Sequence, residues 1–99
     1  MDKVRVTVDA DLQDLVPGFL ANRERDVQRI DAALAAGDFD AVRLIGHGMK
    51  GSGGGYGFDT ITDIGARIER AATVRDAMAI RTANSELLVY LQRLEVTYG

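Results

Sequence analysis

The sequence has no cysteine, and its 99 residues include a single proline and a single histidine. Without cysteine the chain has neither a disulfide framework nor a thiolate metal site, and one histidine cannot build a histidine-rich metal cluster. No apolar run approaches the ~18 residues of a membrane span, and the N-terminus has no apolar stretch of signal-peptide length. We therefore expect a cytoplasmic protein that crosses no membrane and holds no metal or cofactor.

An excess of positive charge is also lacking, because 15 acidic residues outnumber 12 basic ones and the net charge is −3. A nucleic-acid-binding surface would normally add a basic stripe to the composition, so a protein or small-molecule partner fits better. The length allows one domain, and we expect it to span residues 1–99. The apolar fraction of 46% is enough for a packed core.

In the N-terminal third of the chain, the spacing of apolar residues changes from every second residue to a helical repeat. Residues 3–8 alternate between apolar and polar side chains, which predicts a short strand or an extended arm that could not form a sheet alone. From Asp9 the apolar residues recur at helical spacing and predict a long leading helix. Pro17 should either kink this helix or begin its main segment, and Gly37 supplies a stop.

Asp38 is a suitable N-cap for a second helix, which we predict over about residues 38–58. Either Asp59 or Thr60 can cap a third helix, whose apolar residues again recur on one face. These two helices are separated by very few residues, which is typical of neighbours that run antiparallel.

Asp76 is the expected N-cap of a fourth helix, with apolar positions that continue as far as Leu94 and Val96. Four amphipathic helices with short connections predict an all-α, antiparallel four-helix bundle, preceded by the short extended arm or leading helix.

Seven of the eleven glycines fall between Gly46 and Gly57. A G-x-G-x-x-G spacing starts at Gly46, but the dinucleotide fingerprint also requires a preceding strand and a βαβ unit, which this chain cannot supply. A phosphate-binding P-loop requires Gly-Lys followed by Ser or Thr, whereas Lys50-Gly51-Ser52 inverts that order. We therefore interpret the glycines as part of a helix. Each glycine there costs ~1 kcal/mol of helix stability relative to alanine, which packing or function must offset.

On such a helix His47, Lys50 and Gly51 stand at positions i, i+3 and i+4 and share one face. Arg43 and Gly54 extend this face in the two directions, and His47 is predicted to be exposed. The opposite face should meet the bundle core and comprises Val42, Ile45, Met49, Ser52 and Tyr56.

A lone surface histidine is usually an ordinary polar residue, so the neighbours of His47 decide its interpretation. An imidazole with an ordinary pKa of ~6.5 is mostly neutral, and therefore nucleophilic, near neutral pH. Lys50 places a flexible positive charge one turn away, suited to a phosphoryl group. Gly51 has no side chain that would prevent a partner from closing over the ring. Together these residues predict a phosphoryl-accepting site.

The run H-x-x-K-G-S-x-x-x-x-G that starts at His47 resembles the signature of histidine-containing phosphotransfer (HPt) domains. The similarity extends over nearly the whole chain, through the leading helix with Pro17 and the Ala-Gly-Asp-Phe junction at residues 36–39. We expect Gly57, the last residue of the run, to mark a close approach of helices. Glycines depart from the family pattern, where helix formers are commoner, at Gly46, Gly48, Gly53, Gly54 and Gly55.

The resemblance implies a phosphorelay carrier. His47 would accept a phosphoryl group from an aspartyl phosphate of a receiver domain, or from a kinase, and donate it to another receiver aspartate. Lys50 would offset the charge of the transferred group, and Gly51 would provide clearance. The receiver would contribute Mg²⁺ and most of the electrostatic stabilisation, so the chain itself would need neither ATP nor a metal.

The resemblance also implies the partners, which are response-regulator receiver domains and a histidine or hybrid histidine kinase, acting on a monomer. Arg43, Leu44 and Gly54 are candidate docking residues, although Arg43 could equally belong to a solvated face and Leu44 to the bundle edge. Alternatives are a bundle that binds a receiver or kinase without carrying phosphate, a piece of a larger kinase, and a purely structural bundle.

Overall fold

A computed structural model describes residues 2–99 of the chain. It forms four helices, which are α1 (Val16–Ala35), α2 (Phe39–Ser52), α3 (Asp59–Thr73) and α4 (Ala77–Arg93). Two five-residue strands lie at the ends of the chain, β1 (Val4–Val8) and β2 (Leu94–Tyr98). The predicted all-α four-helix bundle is therefore confirmed, and it carries a small sheet that the sequence only half indicated.

The first helix begins at Val16, just before the proline, rather than at Asp9. Pro17 is the second residue of α1, where its missing N–H is not needed, so the alternative of a kink is wrong. Asp9 instead caps a separate 3₁₀ turn, Ala10–Leu12, by accepting a hydrogen bond from the Asp11 amide at 2.9 Å. After the helix, Gly37 takes a left-handed φ of 70°, which glycine adopts readily, and the chain turns into α2.

Two of the predicted helix caps are confirmed. The Asp38 carboxylate accepts from the Ala41 amide and the Asp76 carboxylate from the Ala79 amide, each at 3.0 Å. The predicted cap of α3 is wrong, because Asp59 already lies in the first turn and the N-cap position is occupied by Phe58 without a side-chain bond. An acidic residue in the first turn still complements the positive end of the helix dipole.

Helix α2 is shorter than the predicted span of residues 38–58. It ends at Ser52, and a second 3₁₀ turn, Gly54–Tyr56, follows. Gly57 then takes a φ of 87°, so its role is to allow this left-handed turn and not a close helix approach. A Cβ at Gly57 would meet nothing nearer than a Val8 methyl carbon at 3.9 Å.

Leu94 and Val96 lie in a strand and not in the fourth helix. β2 pairs with β1 in parallel, with Val4 opposite Leu94 and Val6 opposite Val96. On the outer face Thr7 and Thr97 share a hydrogen bond of 3.0 Å. The arm predicted at residues 3–8 thus contains strand β1, and its partner strand lies at the other end of the chain, which the sequence pattern did not reveal.

The core lies between the helices. On α2 Val42 and Met49 are fully buried, while Ile45, Ser52 and Tyr56 of the predicted inner face are only partly buried. Phe58 is completely buried and stacks against Phe19, which also stacks on Tyr56. Within the described part of the chain, no helix combines the length and the apolar character that crossing a membrane requires.

Candidate functional site

The site is built where α2 and α3 come into backbone contact. A Cβ added to Gly46 would lie 2.8 Å from the Glu69 amide nitrogen, and one added to Gly65 would lie 2.6 Å from the amide nitrogen of Lys50. Real Cβ atoms do not approach backbone atoms so closely, so any larger residue would force the two helices apart. The two glycines therefore let α3 present its Glu69 turn directly beside the middle of α2.

A third glycine fixes the C-terminal end of α2 in the same way. A Cβ at Gly53 would lie 2.7 Å from the Thr62 amide nitrogen. The Thr62 hydroxyl accepts from the Gly54 amide at 2.8 Å and donates to the Lys50 carbonyl at 3.2 Å. This contact secures the last turn of α2 against α3 just beyond the candidate site.

The two other glycines of α2 itself face open space. Gly48 and Gly51 are exposed, and a Cβ at either position would meet nothing within 4 Å. They follow His47 by one and four residues, so the solvent side of α2 next to the ring is bare backbone. A partner can therefore approach the imidazole without meeting a side chain at these two positions.

His47 and Lys50 meet on a single carboxylate. Nδ1 of His47 lies 2.7 Å from Oε2 of Glu69, and Nζ of Lys50 lies 2.8 Å from Oε1. The imidazole side chain is 64% exposed and that of Lys50 43%, whereas the Glu69 side chain is only 20% exposed. The shared face of His47 and Lys50, and the exposure of the histidine, are as the helical spacing predicted.

The carboxylate determines which ring nitrogen is available. The hydrogen bond from Lys50, followed by that from His47, holds the pKa of Glu69 below its ordinary value, so the group is an anion at neutral pH. An ionised carboxylate only accepts hydrogen bonds, so Nδ1 of His47 carries the proton. In the neutral ring the lone pair is then on Nε2, which makes no hydrogen bond to residues 2–99.

Glu69 is the site residue that sequence reasoning missed. Its position on α3 has no spacing relationship to His47, because the contact depends on how two helices pair. Small residues at a helix crossing were the available signal, since Gly46 and Gly65 let the backbones touch at the same level.

The candidate docking residues occupy different surroundings. Leu44, one turn before His47, is 59% exposed, so most of its apolar side chain is accessible to a partner. Arg43 is half-buried, and Gly54 is exposed in the turn after α2. The expectation that Gly54 extends the helical face of His47 is wrong, because Gly54 lies beyond the end of α2.

Leu44 borders a groove between α1 and α2. The groove is lined by apolar residues of α2 and by a charged cluster on α1, in which Asp26 is buried between Arg23 and Arg29. Arg23 Nε lies 2.8 Å from an Asp26 oxygen, in an ion pair without a linear hydrogen bond, and its Nη1 donates to the Ser52 hydroxyl at 3.1 Å. This cluster joins α1 to the last turn of α2.

No three His, Cys, Asp or Glu side chains among residues 2–99 stand close enough together to form a metal site. The one carboxylate beside the ring is already engaged by His47 and Lys50. What the arrangement offers chemically is an exposed, oriented imidazole with a movable positive charge beside it.

Comparison with known proteins gives one result. The family model described as the Hpt domain matches residues 14–96. No curated protein and no solved structure matches the chain significantly. The matched segment contains all four helices and every residue of the candidate site.

Proposed function

The chain belongs to the Hpt domain family, and we propose that it carries a phosphoryl group on Nε2 of His47 between proteins of a two-component phosphorelay. Hpt domains transfer phosphoryl groups in such relays and interact there with receiver domains and histidine kinases. The observation that carries the proposal is the hydrogen bond between Nδ1 and Glu69, which leaves the lone pair of Nε2 directed away from the site's own carboxylate.

In the accepting step, the lone pair of Nε2 attacks the phosphorus of a receiver's aspartyl phosphate. A P–N bond forms as the P–O bond breaks, and the aspartate leaves as a free carboxylate. In the donating step a second receiver's aspartate attacks the same phosphorus, and the electron pair of the P–N bond returns to Nε2. Positioning and charge stabilisation are the main demands of such transfers.

Lys50 supplies the positive charge on this side of the reaction. Its ammonium group now binds Glu69, but the side chain is flexible and 43% exposed, so Nζ can move to a phosphoryl oxygen. We assign Mg²⁺ to the receiver and no cofactor to this chain. Gly51, with Gly48 beside it, provides the clearance that the receiver's active site needs to reach the ring.

The receiver would dock on the surface around the ring. Leu44 is a large exposed apolar side chain one turn from His47, so a docked receiver would remove its apolar surface from water. Arg43 and Gly54 border the same region and are assigned to the edge of the contact. We further propose that the protein acts in the cytoplasm as a monomer.

The test is phosphate transfer from a phosphorylated receiver domain, followed by analysis of the label on this protein. Wild type should acquire phosphate that is labile in acid and stable in base, and His47→Gln should acquire none while keeping its helical content. Label that persists on His47→Gln would overturn the assignment. A wild type that binds the receiver but acquires no label would instead support the alternative, a module that binds receivers or kinases without carrying phosphate.

A further inference from the structure

The open edge of strand β1 and the outer face of α4 form a second surface of the bundle, separate from His47. We propose that this surface binds an extended, acidic segment of a partner protein, which pairs with β1 as a third strand and continues into a groove on α4. The inference does not depend on the proposed function, because it involves none of the residues assigned there.

Strand β1 is an edge strand, because the sheet has only two strands. The Val8 carbonyl accepts from the Gly99 amide at 3.1 Å, and in a parallel ladder the residues that bond to the neighbouring strand alternate. The N–H and C=O groups of Arg5 and Thr7 therefore point away from β2. They make no hydrogen bond to another element within residues 2–99. Such an edge can pair with a further extended chain, and β1 contains no proline that would prevent it.

A groove of about 640 Å³ begins at this strand and follows α4. Its apolar surface comes from Val4, Val89 and Tyr90, and both valine side chains are more than a third exposed. The groove is bordered by β1 but by no residue of β2, so the open edge lies on its side of the sheet. A segment paired with β1 can therefore place its neighbouring residues in the groove.

The charges in the groove favour an acidic segment. Arg81 and Arg93 line it and make no ion pair within residues 2–99. Its one carboxylate, that of Glu86, is bound by Arg67. Nε of Arg93 has no hydrogen-bond partner in the described part of the chain, so this guanidinium group has donors left for a carboxylate, which it would bind in a charge-assisted pair. The groove is thus locally positive in a chain whose net charge is −3.

The position of α4 keeps this surface apart from the phosphoryl site. Helices α2 and α4 each pack against α1 and α3, so they lie diagonally across the bundle from each other. The groove on the outer face of α4 therefore faces away from His47. A partner bound there would tether the domain while leaving the histidine accessible to a receiver.

The probe is a fluorescent peptide that alternates valine and threonine and carries glutamates at both ends. It should bind the intact protein with a Kd below about 1 mM and slow hydrogen exchange at the amides of Arg5 and Thr7, as measured by NMR. Methylation of the peptide's backbone nitrogens should weaken binding by about tenfold, because it removes the strand hydrogen bonds. Replacing its glutamates with lysines should weaken binding as much.

Variants of the protein test the two parts of the surface separately. Arg93→Gln should weaken binding by about tenfold, whereas Arg25→Gln, which removes an equal charge from the exposed surface of α1, should bind like wild type. Thr7→Pro removes an amide of the open edge and no bond of the ladder, so it should also weaken binding. Thr7→Val, which loses only the hydroxyl bond to Thr97, should not.

No binding at millimolar peptide, or equal binding of the acidic and the lysine peptide, would contradict the inference. So would wild-type affinity in both Arg93→Gln and Thr7→Pro. Self-association of wild type that Thr7→Pro abolishes, measured by analytical ultracentrifugation, would assign the edge to a second copy of the chain instead. Phosphate transfer to His47 should be the same with and without saturating peptide, and inhibition would show that the two surfaces are not separate.

Discussion

The two sides of α2 use the same residue type for opposite purposes. On the side facing α3, Gly46 and Gly53 have no room for even a methyl group, because backbone atoms of the neighbouring helix lie where the Cβ would be. On the solvent side, Gly48 and Gly51 border open space. Packing thus requires glycine on the face towards α3. On the solvent face the fold would tolerate other residues, so only contact with a partner would require glycine there.

The largest effect expected from this comparison concerns Gly46. Gly46→Ala places a methyl group 2.8 Å from the Glu69 amide, and the helices must separate to admit it. We expect a loss of about 1–3 kcal/mol in the free energy of unfolding, which outweighs the better helix propensity of alanine. Urea denaturation measures this value. Gly48→Ala is the matched control and should be unchanged or stabilised by up to ~1 kcal/mol.

Equal stabilities for these two variants would contradict the distinction between the faces. A Gly46→Ala protein that still folds should also have a weaker hydrogen bond between His47 and Glu69, because the same methyl group displaces the backbone of Glu69. Chemical shifts of the histidine ring would report that change.

The next effect concerns clearance and should leave stability intact. Gly51→Gln adds a long side chain beside the ring in open space, so the free energy of unfolding should stay constant or rise by up to ~1 kcal/mol. Transfer from a phosphorylated receiver should slow by about tenfold, which corresponds to roughly 1.4 kcal/mol of lost docking or transition-state energy. Rapid mixing with a labelled receiver would measure the rate.

Gly55→Gln is the control for the added side chain, since Gly55 is also exposed, also borders open space and lies beyond the end of α2. Its transfer rate should match that of wild type. A Gly51→Gln protein that accepts phosphate at the wild-type rate would show that the open face is incidental to the reaction.

The same contrast explains what could be predicted from the sequence. Local signals worked where a residue acts on its own helix, as with the caps Asp38 and Asp76 and the shared face of His47 and Lys50. They failed where the partner is distant in sequence. The contact with Glu69 depends on how α2 and α3 pair.

Strand β2 was missed for a related reason. Leu94 and Val96 fit a helical period as well as a strand, and only pairing with β1, about 90 residues away, decides between them. The end of α2 was misplaced because the glycines on both sides of Ser52 look alike in sequence. They differ in what lies next to them and in φ, which reaches 87° at Gly57.

The smallest expected effect on stability is that of Lys50→Ala, at the boundary between the two faces. The variant removes an ion pair between groups that are partly exposed, and such pairs contribute little to stability because solvent screens them. The pKa of Glu69 is lowered in the folded protein, so its contribution is present above the ordinary value of 4.5 and disappears as the pH falls through the lowered value. Lys50→Ala should therefore lose slightly less stability than wild type on acidification below about pH 4.5.

Transfer is where Lys50→Ala should separate structure from function. Without Nζ the phosphoryl charge has no counter-charge on this side of the reaction, so phosphate acceptance should slow markedly while the melting temperature changes little. The two measurements are made on one protein preparation, by scanning calorimetry and by receiver transfer. A clear fall in melting temperature with unchanged transfer would mean that Lys50 stabilises the contact between α2 and α3 and does not take part in the reaction.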